Sequence, residues 1–156
     1  MQLRLVAVGA VLALAAGGCG VYMSVHQAFE PALSLDCVAS ALARSPNVTD
    51  ATPIRRSRVP GYEGFEVTLR DSATGRKVRS TILRATTPDS VGVVSVIFGF
   101  GNAAVRATER RDAALGAMVL DLLRVACAPT SRGTVECVYS TGGRERSCRS
   151  ENPAAP

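Results

Sequence analysis

The chain has 156 residues, a formal net charge of +5, 4% aromatic residues and no tryptophan. That length admits one domain with one core. The scarcity of aromatics argues against base-stacking recognition of nucleic acid. His26 is the only histidine, so Ser-His and Cys-His nucleophile systems have no evident base.

Residues 1–18 fall into three parts. Arg4 gives a positive start, Leu5 to Ala16 is almost purely apolar, and small residues follow. The apolar run is shorter than the roughly 20 residues that span a bilayer core. This is the pattern of a cleaved signal peptide. The run Leu14-Ala15-Ala16-Gly17-Gly18-Cys19 resembles the cleavage and acylation site of a bacterial lipoprotein. The resemblance covers only this segment. It implies cleavage before Cys19, lipid attachment at Cys19, and a protein anchored to a membrane and facing the periplasm. Gly20 after the cysteine, in place of Asp, implies sorting to the outer membrane.

Cysteine parity agrees with export. Of the five cysteines, Cys37, Cys127, Cys137 and Cys148 remain after Cys19 is acylated. Ordinary signal-peptidase cleavage would leave the same four. Four thiols make two disulfides in an oxidising compartment. Their wide gaps lack the close pairs of a zinc site, so no metal and no cofactor is expected.

Residues 19–30 show no clear period and read as a lipid-attached tether. The domain is expected over 31–150, with a disordered tail over 151–156. Ala32 to Arg44 carries Leu35, Val38, Ala39 and Leu42 at helical spacing. Ser34 is its expected N-cap, and Pro46 ends it. Ile54 to Val59 reads as a short edge strand.

Phe65, Val67 and Leu69 alternate with Glu66, Thr68 and Arg70, which predicts a half-buried strand. Asp71 to Gly75 is turn chemistry. Lys77 to Leu83 returns, pairing Leu69 with Val78, Val67 with Ser80 and Phe65 with Ile82. Arg70, Lys77 and Arg79 then share the outer face. They form either a solvated sheet face or a face for an anionic partner, because like charges stand opposite one another. The whole stretch from Arg55 to Arg84 holds eight basic residues against three acidic ones.

Val91 to Phe100 is an apolar, β-branched run and reads as a strand. Val94, Val96, Phe98 and Phe100 are its core row. Val93 and Ile97 lie opposite, covered by the C-terminal segment or open to a partner. Gly99 to Ala104 fits G-x-G-x-x-A, but the preceding segments read as antiparallel hairpins, so this is a strand-end loop and not a dinucleotide site. Thr108 to Cys127 is the strongest helix, with a stripe of Leu115, Met118, Leu122 and Val125 flanked by Val119 and Leu123. Thr134 to Tyr139 and Glu145 to Cys148 pair around Gly142-Gly143.

That register sets Cys137 opposite Cys148, as a non-hydrogen-bonded pair if the loop has four residues. Four cysteines allow three connectivities, so sequence alone leaves the pairing open. Cys37 with Cys127 follows by elimination, from the first turn of one helix to the last turn of the other. The expected fold is α+β: an antiparallel sheet, two helices on one face, a C-terminal hairpin and two disulfides.

No catalytic residues stand out, so a non-enzyme is expected. The reading is an interaction or structural module, tethered to the membrane and meeting an envelope protein or anionic polymer, with no nucleic acid. The alternatives are a small cell-envelope hydrolase or a ligand-sensing module. A pocket joining Arg with Glu63 or Glu66 would favour the hydrolase. An enclosed apolar pocket would favour the sensor.

Overall fold

The computed structural model describes residues 21–54, 60–87, 92–100 and 108–148. The expected signal segment 1–18, Cys19, Arg55, Arg56, Arg58, the G-x-G-x-x-A residues Gly101 to Ala104, and the expected tail 151–156 lie outside the described residues.

The chain runs β1 (Val21–Ala28), α1 (Leu35–Arg44), β2 (Val48–Pro53), β3 (Tyr62–Arg70), β4 (Lys77–Ala85), β5 (Val93–Phe100), α2 (Glu109–Cys127), β6 (Val135–Thr141) and β7 (Arg144–Ser147). The strands form one seven-stranded sheet in the order β2-β3-β4-β5-β1-β6-β7. Every neighbouring pair is antiparallel. The class is α+β, weighted towards sheet.

The largest correction is at the start. The expected tether over 19–30 is, from Val21 to Ala28, a strand in the interior of the sheet, flanked by β5 and β6. Its alternation is real: Met23 and Val25 join the main core, while Tyr22, Ser24 and His26 form the other row. Both rows are buried, so the strand lacks the half-polar signature of an outer one. The edge strand β2 ends at Pro53; of the edge strand expected over Ile54 to Val59, Ile54 is not in a strand and residues 55–59 lie outside the described residues.

β3 and β4 pair in the expected register, with Leu69 opposite Val78, Val67 opposite Ser80 and Phe65 opposite Ile82. β6 and β7 turn through two residues, not four, with Thr141 opposite Arg144. Gly142 and Gly143 both have positive φ, 55° and 76°. That is the backbone of a two-residue turn that matches strand twist and that glycine adopts most cheaply. Cys148 therefore donates its N–H to the Cys137 carbonyl at 3.1 Å, so this is a hydrogen-bonded pair.

The main core joins Met23, Val25, Phe65, Val67, Leu69, Ile82, Val94, Val96 and Phe98 to residues of both helices. α1 contributes Val38, Ala41 and Leu42, and its Ser34 hydroxyl accepts the Cys37 N–H at 3.2 Å. α2 contributes Leu115, Val119, Leu120 and Leu123. Its buried side is thus rotated from the expected stripe: Met118 and Leu122 are half-buried, and Val125 is 59% exposed. Gly116 lets α2 approach β1, since a Cβ there would lie 2.7 Å from a Val25 methyl. Disulfides join Cys37 to Cys127 and Cys137 to Cys148.

Candidate functional site

The sheet row opposite the main core carries the polar chemistry. Two rungs cross β2, β3 and β4 there. In one, Thr52 faces Glu66, which faces Thr81, which faces Ile97 of β5. In the other, Asp50 faces Thr68, which faces Arg79. These rungs line an open trough of about 420 Å³, with Ile97 and Gly99 also at its wall. Glycine at position 99 leaves space: a Cβ there would meet nothing within 4 Å.

The trough is mostly polar. Asp50, Glu66 and Arg79 supply charge of both signs, and Thr52, Thr68 and Thr81 supply hydroxyls. Asp50, Glu66 and Arg79 are all exposed. A carboxyl that serves as a general acid near neutral pH is normally buried in apolar surroundings. Neither trough carboxylate has that setting.

The expected basic residues divide. Arg79 lines the trough, while Arg70 and Lys77 face each other one rung further out, at the turn end. All three are exposed. Glu63 does not join them. It accepts from Arg84 Nη2 at 2.9 Å at the far end of the hairpin. Val93 and Ile97 are half-buried and pack against a second apolar cluster of Tyr62, Leu83 and Ala85, with Ile54, while Ile97 also borders the trough.

A second constellation was hidden by the tether reading. Ser95, His26 and Glu136 are direct cross-strand partners on β5, β1 and β6. His26 Nε2 lies 3.5 Å from Glu136 Oε2. Burial pushes the His26 pKa below 6.5, and Glu136 offsets part of that shift. A serine nucleophile needs its hydroxyl hydrogen-bonded to the base. Among the described residues Ser95 Oγ has no such partner, so the row is not set up as a nucleophile and base. Beside it, the Tyr22 hydroxyl donates to Glu145 at 3.0 Å, and burial pushes its pKa up to about 12.

Two buried acids close the entry to α2. Glu109 and Asp112 are each 1% exposed. Arg146 donates to both Glu109 oxygens at 2.7 and 2.9 Å, and its guanidinium lies 4.2 Å over the Tyr139 ring. Arg76, from the β3–β4 turn, donates to Asp112. Both acids stand in the first turn of α2, where they complement the helix dipole. Only the fold shows that each is neutralised by an arginine from the sheet.

Among the described residues, no cluster of His, Cys, Asp and Glu could hold a metal ion, and no helix is long and apolar enough to cross a membrane. No protein-family model, curated protein or solved structure matches this chain.

Proposed function

We infer that this chain is a small periplasm-facing lipoprotein, anchored through Cys19, that works as an interaction module. In this reading both helices cover the Met23 and Val25 row, and β6 and β7 form a C-terminal hairpin stapled by its own disulfide. The opposite row is then the working surface. The trough carries the reading, because it groups Asp50, Glu66, Arg79 and three threonines around open space. Mixed charge with hydroxyls suits a polar partner that offers both donors and acceptors. Its open, polar form is unlike the enclosed apolar pocket of a small-molecule sensor.

One observation favours the second reading, a cell-envelope hydrolase. Two carboxylates, Asp50 and Glu66, share the trough with Arg79. Their exposure weighs against it, since paired-carboxylate chemistry needs environments that push the two groups apart.

Crosslinking capture from intact envelopes separates the readings. Gly99→Ile would put a side chain into the trough without meeting described atoms within 4 Å of its Cβ. The captured partner is expected to be lost in that variant, with both disulfides and the circular dichroism spectrum unchanged. Undiminished capture would remove the trough from the account. Turnover of isolated envelope polymer that Glu66→Gln abolishes would establish the hydrolase instead.

A further inference from the structure

We propose that the end of the sheet where β1 begins is a basic rim that rests on the membrane and binds anionic lipid headgroups. This rests on the lipid-anchor reading and adds an orientation to it.

The geometry starts from β1. Val21 is two residues after Cys19 and already pairs with Phe100 and Thr141. Two residues of chain reach no more than about 7 Å. An acylated Cys19 would therefore hold this end of the sheet at the bilayer surface, with no tether to let it swing away.

The register shows what else lies there. Thr81 pairs with Ile97, so Lys77, four residues earlier on β4, lies towards the Phe100 end of β5. Arg70 is opposite Lys77. Arg144 is opposite Thr141, which is itself opposite Val21. Arg110 and Arg111 sit between Glu109 and Asp112, which are bonded to Arg146 of β7 and Arg76 of the β3–β4 turn. The first turn of α2 thus belongs to the same end. Arg70, Lys77, Arg110, Arg111 and Arg144 are all exposed.

The acids nearby do not cancel them. Glu109 and Asp112 are buried and each is held by an arginine. Asp71 accepts from the Ala73 N–H and the Thr74 hydroxyl within its own turn, and Glu145 accepts from Tyr22. Among the described residues that leaves Asp71 and Glu145, with Asp50 and Arg79 one rung further in, against five exposed cations. At the opposite end Arg84 is bonded to Glu63 and to the Leu33 carbonyl, and Arg132 is exposed. Exposed cations close to an anionic leaflet are attracted to its phosphates, and salt weakens the attraction.

Lys77 is the only lysine in the chain, so amine labelling followed by peptide mapping reads the rim directly. The full acylated protein would be reconstituted in vesicles of phosphatidylcholine alone, or with phosphatidylglycerol added. A membrane-impermeant acylating reagent would then be applied. Lys77 is expected to react about fivefold more slowly in the anionic vesicles, with protection lost in 0.5 M salt (an order-of-magnitude expectation). An Arg132→Lys chain supplies the control. Arg132 is exposed and follows Ser131, whose hydroxyl reaches the Ala28 carbonyl at the opposite end. Labelling at position 132 should not respond to lipid charge. Equal labelling of Lys77 in both vesicles, or equal protection at both positions, would overturn the rim. Intact mass of the same sample reads the anchor separately. A chain without acyl groups would overturn the anchor alone, and its cosedimentation with the anionic vesicles at low salt would then decide the rim. No cosedimentation would overturn it.

Discussion

Arg146 of β7 grips Glu109 at the start of α2 through two hydrogen bonds, at 2.7 and 2.9 Å. The carboxylate is almost wholly buried, while the arginine side chain is 40% exposed. Arg146 also lies over Tyr139. The contact joins the last strand to the last helix across 37 residues.

Removing one partner should therefore be costly. Arg146→Leu removes the two charge-assisted hydrogen bonds that Arg146 gives the buried Glu109 carboxylate, and is expected to lower stability by roughly 3 kcal/mol. Adding Glu109→Leu should recover much of that loss, because two apolar groups leave no buried charge. Urea unfolding of both variants measures it. A single variant as stable as the parent would show that Glu109 is not held as described.

The two disulfides should differ in weight. The Cys37–Cys127 bridge closes a separation of 90 residues and the Cys137–Cys148 bridge one of 11. The chain-entropy account assigns the long loop more, about 4–5 kcal/mol against about 3. Replacing each pair by alanine and comparing thermal unfolding would rank them. Greater damage from the short pair would show that native packing, not loop closure, sets their worth.

The fold was legible where local rules acted alone. β3 and β4 alternate cleanly around a short turn, so their pairing could be written residue by residue. Ser34 announced the start of α1 by its chemistry. β1 was not legible, because Tyr22, Ser24 and His26 are buried by sheet neighbours far along the chain. Its closeness to the expected signal segment also favoured reading it as a tether. In α2, apolar residues occur on more than one side, and only the approach of Val25 at Gly116 selects the buried one. The trough was half visible. Thr68 and Arg79 were placed on one face, but Asp50 and Thr52 come from an edge strand that the sequence reading put further on. The pairing of Glu109 and Asp112 with arginines of the sheet has no local signal at all.

His26 gives a pH dependence with a definite sign. Burial lowers its folded pKa below 6.5, and the facing carboxylates, Glu136 and Glu145, offset part of the shift. The unfolded chain then binds more protons than the fold below pH 6.5. The stability conferred by the neutral imidazole is complete above 6.5 and is lost as pH falls through 6.5 towards the lowered value. His26→Gln should flatten that part of the stability curve. Chemical denaturation between pH 5 and about 8 tests this. Parent and variant curves of the same slope would remove His26 from the pH response.

The anchor proposed at Cys19 underlies both the proposed function and the proposed membrane-facing rim, so its chemistry is the most direct test. Intact mass spectrometry of the membrane fraction should find a mature chain that begins at Cys19 and carries two acyl chains on a glyceryl thioether at that residue. A mature chain that begins elsewhere, or a Cys19 without acyl mass, would contradict the account.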